Sequence, residues 1–91
     1  MTWSVQYKRA FLRDLSRLPK NFRTRVEAIV FGDEIKNDPF LNGRMKRMSG
    51  FDSFYKIRIG DYRIGLQLDF EEELIKFQRV LHRREIYRRF P

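Results

Sequence analysis

The sequence predicts an α+β fold with the element order β-α-α-β-β-β, and three observations carry that expectation. Residues 2–7 (Thr-Trp-Ser-Val-Gln-Tyr) alternate, with Trp3, Val5 and Tyr7 on one side, the two-residue period of a strand. From Lys8 to about Ile35 the apolar spacing lengthens to that of helices. From Phe54 to Leu81 alternation returns in three runs separated by two turns.

The elements follow in order. In the first helix Phe11, Leu15 and Leu18 recur at i, i+4 and i+7 as a core-facing stripe. Pro19 stops it, because proline disfavours helical geometry in the residue before it. A second helix is either capped by Asn21 or opened by Pro19. Its stripe is Phe22, Val26, Ile29 and Val30, extending toward Ile35, with Gly32 as a kink or an end. Asn37-Asp38-Pro39 is a stop signal. Within the span Lys8 to Arg25 the cations Lys8, Arg9, Arg13, Arg17, Lys20, Arg23 and Arg25 meet only Asp14 as a counter-charge. They form either a solvated outer face or a surface that contacts phosphates without reading sequence.

Phe40 to Ser53 reads as a loop-like surface connection, with Met45 and Met48 filling the edge of the core. Strands are expected at 54–59, 62–70 and 73–81, with Asp69-Phe70-Glu71-Glu72-Glu73 as the second hairpin turn. In the first hairpin Tyr55, Ile57 and Ile59 enter the core, continued by Tyr62, Ile64, Leu66, Leu68 and Phe70. Lys56, Arg58 and Arg63 then gather on the opposite face. The last strand breaks parity: Ile75 and Phe77 alternate, position 79 is arginine, and Val80 takes the apolar place. One extra residue between Phe77 and Val80, a β-bulge, explains this and re-aims the basic tail His82-Arg83-Arg84-Glu85-Ile86-Tyr87-Arg88-Arg89-Phe90-Pro91.

Composition narrows the chemistry. The 91 residues are expected to form one domain over 1–91, with 42% hydrophobic residues to build a modest core. With no cysteine, disulfides and thiol catalysis are excluded, and one histidine makes no zinc site, so neither metal nor cofactor is expected. No apolar run approaches a membrane span and no signal-peptide pattern is present, so a soluble cytoplasmic protein is expected. The formal charge of +8 favours a polyanionic partner, nucleic acid first and an acidic protein second, with a membrane surface a distant third.

The two strings Tyr55-Lys56-Ile57-Arg58-Ile59-Gly60-Asp61-Tyr62-Arg63-Ile64 and His82-Arg83-Arg84-Glu85-Ile86-Tyr87-Arg88, in this element order, resemble the RelE/ParE toxin superfamily over nearly the whole chain. The resemblance implies a toxin of a type II toxin–antitoxin pair, with two N-terminal helices packed on one face of a small, twisted, antiparallel-rich sheet and a short basic C-terminal tail. Lys56, Arg58, Arg63, Arg83 and Tyr87 match the residue set of RelE-like members, which cleave mRNA in the ribosomal A site. ParE-like members share the fold, act on DNA gyrase and generally lack that set. The implied partners are the ribosome with its mRNA and a cognate antitoxin that covers the cationic face with an acidic or amphipathic segment. The toxin–antitoxin complex would be hetero-oligomeric and bind its operator through the antitoxin.

Metal-free RNA cleavage needs a base for the ribose 2′-OH, charge stabilisation at the phosphate and a proton for the leaving 5′ oxygen. Crowding by Arg58 and Arg63 disfavours the ammonium form of Lys56, which makes it a candidate base. His82 is the competing candidate. Arg58 and Arg63 are expected to stabilise the pentacovalent phosphate, and Arg83 to hold it or assist the leaving group. Tyr87 would stack on a base, orient the 2′-OH or relay a proton. Lys46, Arg84, Arg88 and Arg89 are expected to bind RNA backbone electrostatically. Two other readings stand beside this one: a gyrase inhibitor without nuclease chemistry, and a non-catalytic basic RNA-binding domain.

Overall fold

A computed structural model describes residues 2–91. Strand β1 (Ser4–Tyr7) leads into helices α1 (Arg9–Ser16) and α2 (Lys20–Val30), then the single-turn α3 (Glu34–Asn37). Strands β2 (Met45–Arg47), β3 (Phe54–Ile59), β4 (Tyr62–Asp69) and β5 (Leu74–His82) follow, and helix α4 (Arg83–Arg89) closes the chain. The five strands form one sheet in the order β1-β5-β4-β3-β2, parallel only between β1 and β5. Among the described residues, no helix is long and apolar enough to cross a membrane.

The two periodicities meet as expected. Phe11 and Leu15 from α1, Leu18 just past its end, and Val26 and Val30 from α2 share one buried cluster with Ile57, Ile59, Ile64, Leu66 and Leu68. Helices α1 and α2 therefore cover one face of the sheet. Pro19 occupies the N-cap position of α2, and Asn21 lies inside the first turn. The helix ends at Val30, before Gly32, and Ile35 is buried from the separate α3.

Three differences from the sequence expectation have physical causes. The connection after Phe40 is not wholly a loop. The Asp38 carboxylate accepts the Asn42 and Phe40 N–H groups (2.7 and 3.2 Å), folding a tight turn that delivers β2 alongside β3. Phe70 leaves the core series because β4 ends at Asp69; it is exposed and packs edge-on against Trp3. The tail after His82 is the two-turn helix α4.

The bulge lies where parity breaks. Leu66 pairs with Phe77 and Gly65 with Arg79, which leaves Gln78 as the extra residue. Strand β1 pairs with β5 only from Leu74 to Phe77, so the next part of β5 has no strand on that side. Asp14 of α1 covers this flank. Its Oδ2 accepts Arg79 Nε (2.7 Å) and the Val80 N–H (3.1 Å), and its Oδ1 accepts Arg79 Nη2 (3.0 Å). A backbone donor that would otherwise be orphaned is thereby satisfied.

Candidate active site

Register places the cations. On the face away from α1 and α2, Lys46 lies opposite Lys56 and Arg58 opposite Arg63, so three strands contribute to one patch. Gly65 is the next partner of Lys56 along the row, and its missing side chain is used. The Phe90 ring sits against it so closely that a Cβ would stand 2.7–2.9 Å from three ring atoms. Phe90, Ile86 and Met48 form a second buried cluster with Phe54 and Leu81, separate from the main core. Ile86 and Phe90 thus seat α4 on the open sheet face. Tyr87, one position beyond Ile86, is carried over Lys56.

A cavity of about 420 Å³ results, lined by Arg44, Lys46, Lys56, Arg58, Arg63 and Tyr87. Five cations and one phenol line it, with no carboxylate. The Lys56 ammonium donates a hydrogen bond to the Tyr87 hydroxyl oxygen and lies 4.5 Å from its ring centroid. That hydrogen bond holds the Tyr87 phenol below its ordinary pKa, opposed by desolvation and reinforced by the charges of Lys56 and Arg63. Arg63 is anchored at the hairpin turn, where Nη1 donates to the Gly60 and Tyr62 carbonyls (2.8 and 3.0 Å). Gly60 has a positive φ of 57° at the first turn position, as a tight hairpin of this kind requires.

The other candidates lie elsewhere. The Arg83 N–H donates to the Asp61 carbonyl (2.8 Å), and its Nε is 4.0 Å from the Asp61 carboxylate, so it stands at the turn outside the cavity lining. His82 caps α4, its Nδ1 accepting the Arg84 N–H (3.2 Å), and its ring meets Tyr62 edge-on. It lines a different hollow, with Arg17 and Arg89 at the α1 side of β5. Arg84 is exposed beside the cap, and Arg88 lines a hollow adjoining Tyr87. Lys46, Lys56, Arg58, Arg63 and Tyr87 are brought together; Arg83, His82, Arg84 and Arg89 do not line their cavity. Sequence reasoning missed Arg44, whose signal was its place in the basic run before Lys46. It also missed Gly65 and Phe90, whose contact has no local signature.

The family model described as "ParE toxin of type II toxin-antitoxin system, parDE" matches residues 5–87. The chain belongs to the RelE/ParE superfamily of type II toxins. Within it, the chain is 37% identical over 90 residues to Toxin RelE3 of Methanocaldococcus jannaschii, covering 96% of this chain and 98% of that protein. It is 33% identical over 89 residues to Toxin RelG of Mycobacterium tuberculosis, covering 98% and 100%. Among solved structures, it superposes on a chain of the RelB-RelE antitoxin-toxin complex from Methanococcus jannaschii with a TM-score of 0.76 and 35% identity, covering 94% and 99%. The superfamily fold accounts for the α+β architecture, and these relatives carry Rel names (RelE3, RelG, RelE) although the matching model carries the ParE name.

Proposed function

We propose that this toxin is a ribosome-dependent, metal-independent mRNA endonuclease that arrests translation and is neutralised by a cognate antitoxin. The observation that carries the reading is the carboxylate-free cavity in which Lys56 and Tyr87 are hydrogen-bonded amid Arg44, Lys46, Arg58 and Arg63. The cations accept a scissile phosphate. Of the two bases left open by sequence, Lys56 borders this cavity and His82 does not. The Tyr87 phenol, its pKa lowered by the Lys56 hydrogen bond and the charges of Lys56 and Arg63, is a third candidate inside the cavity.

As phenolate, Tyr87 takes the proton of the ribose 2′-OH. The 2′ oxygen attacks phosphorus and forms the 2′,3′-cyclic phosphate. Arg58 and Arg63 stabilise the charge that grows on the equatorial oxygens. The P–O5′ bond breaks, and the Lys56 ammonium donates a proton to the leaving oxygen. Proton return along the Lys56–Tyr87 hydrogen bond resets the pair. Arg83 at the rim contacts a neighbouring phosphate.

The RelB-RelE complexes among the structural relatives support an antitoxin partner, and the cationic face suits an acidic or amphipathic segment. The pair would form a hetero-oligomer that binds its operator through the antitoxin. The test is cleavage of mRNA on programmed ribosomes by the wild type, Arg63→Ala, and Arg63→Ala with Arg83→Ala. Equal rates in all three would sink the site. The ParE description of the matching family model favours a second reading, gyrase inhibition. Loss of DNA supercoiling by purified gyrase, with mRNA left intact, would select it.

A further inference from the structure

The twelve carboxylates of this +8 chain are unevenly spread. Seven fall in two short segments: Asp33, Glu34 and Asp38 around α3, and Asp69, Glu71, Glu72 and Glu73 in the turn between β4 and β5. Lys36 is the one cation in those segments. The start of β1 ties them together, with the Trp3 N–H donating to the Lys36 carbonyl (2.8 Å) and the Ser4 N–H to the Glu73 carbonyl (2.9 Å). Asp38 and Asp69 accept backbone N–H groups of their own turns, while Asp33, Glu34, Glu71 and Glu72 are exposed. Among the described residues the carboxylates in ion pairs are Asp14 and Asp61, so none of the seven is neutralised in that way. Rings occupy the same end. Phe70 stacks on Phe40 with centroids 6.1 Å apart and meets Trp3 edge-on at 5.5 Å, yet Phe70 stays 51% and Phe40 43% exposed. Neither lines the cationic cavity, and the core uses neither.

A pair of exposed rings flanked by carboxylates repels phosphates, so RNA does not suit it. No group of side chains among the described residues could hold a metal ion. The surface matches lysine and arginine side chains, whose apolar stems lie along a ring while their charged heads meet a carboxylate. An RNA particle carries such side chains on the protein segments that neutralise its phosphates. We propose that this acidic, aromatic end is a docking surface for a basic protein segment of the ribosome, engaged while the cationic cavity holds the mRNA. This rests on the ribosome-dependent reading and adds a protein contact to it. A second copy of the chain, offering its own cationic face, is the competing occupant, and the net charge of +8 on each copy opposes that pairing. An acidic antitoxin segment has the wrong sign.

The experiment turns on the sign of a charge effect. Glu71→Lys with Glu72→Lys raises the formal charge from +8 to about +12 at two exposed positions. Acids that merely repel RNA would, once reversed, tighten binding to every RNA-rich particle. A docking surface predicts the opposite: co-sedimentation with programmed ribosomes should weaken about ten-fold, while a naked oligoribonucleotide is bound at least as tightly as by the wild type. Phe70→Ala, which leaves the charge alone, should weaken ribosome binding about three- to five-fold and leave the oligomer unaffected. In cleavage on programmed ribosomes both variants should raise the ribosome concentration at half-maximal rate and keep the rate at saturation, whereas Arg63→Ala should lower the saturating rate. Equal or tighter ribosome binding by the double variant would overturn the docking surface and leave the nuclease reading intact. Unchanged ribosome binding with weakened antitoxin capture, or with loss of a wild-type dimer in sedimentation, would also overturn it and assign the surface to those partners. If the wild type binds ribosomes with the expected dependence but leaves mRNA intact, the nuclease reading fails and the docking surface stands.

Discussion

Arg79 and Lys56 stand on one row of the sheet, separated only by Gly65, and they have opposite fates. Arg79 closes a two-pronged ion pair with Asp14, partly buried, and that hydrogen-bonded carboxylate raises its already high pKa. Lys56 meets no carboxylate and donates a hydrogen bond to a phenol oxygen instead. A cation with a carboxylate in reach has become part of the frame. A cation surrounded by other cations retains an unmet demand for negative charge, which a phosphate can satisfy. The difference lies in the partner that folding brings, since the two residues are equally basic in sequence.

Substitutions at five positions sharpen that contrast, the largest effect first. Replacing Arg63 with alanine, or Tyr87 with phenylalanine, should lower mRNA cleavage about 100- to 1,000-fold, the cost typical of one lost transition-state donor. Neither should change the circular dichroism spectrum or lower the melting temperature. Asp14→Ala should do the reverse. It leaves Arg79 and the Val80 N–H without a partner, and roughly 2–3 kcal/mol of stability should go. That is below the range for a fully buried pair because the Arg79 side chain keeps 20% of its exposure. A melting temperature about 10–20 °C lower, with cleavage in the cold nearly intact, would check it. An unchanged melting temperature would mean that the bulge is held by something else.

Gly65→Val tests the seat between the two regions. Its branches would displace the Phe90 ring at a cost of about 1–3 kcal/mol, and should loosen α4 ahead of the sheet. Faster hydrogen exchange confined to α4, together with reduced cleavage, is the expected signature. The gentlest test is Lys56→Met, read by spectrophotometric titration of the phenol. The hydrogen bond from Lys56 favours the deprotonated form of Tyr87, so removing it should move the midpoint upward toward the ordinary tyrosine value. In the wild type, cleavage should rise with pH as Tyr87 deprotonates, and in Arg63→Lys the same limb should persist. A midpoint unmoved by Lys56→Met would remove Tyr87 from the proton-transfer role.

What was legible in the sequence follows from the range of the forces involved. Helix stripes, the hairpin alternation and the bulge after Phe77 are written in the spacing of apolar residues, and burial of Phe11, Val26, Ile57 and Ile64 follows from it. Strand alternation likewise placed Lys56, Arg58 and Arg63 on one face. The remaining features depend on contacts between distant positions. Asp14 looked like a lone surface acid because its partner lies 65 residues away. His82 looked like a candidate base, yet its Nδ1 serves the start of α4, a role that depends on where the strand ends. Strand β2 escaped notice because three residues give too short a period to read, and it forms only because β3 offers an edge.

The separation of the two apolar clusters has a thermal consequence. Helix α4 rests on three buried side chains, Met48, Ile86 and Phe90, while the sheet and the first two helices share the much larger cluster. Local opening free energies scale with such anchoring, so α4 should detach well below the temperature at which the sheet melts. Because Tyr87 travels with that helix, warming would disarm the toxin while it still looked folded by every bulk measure, and cooling would arm it again without any refolding of the core.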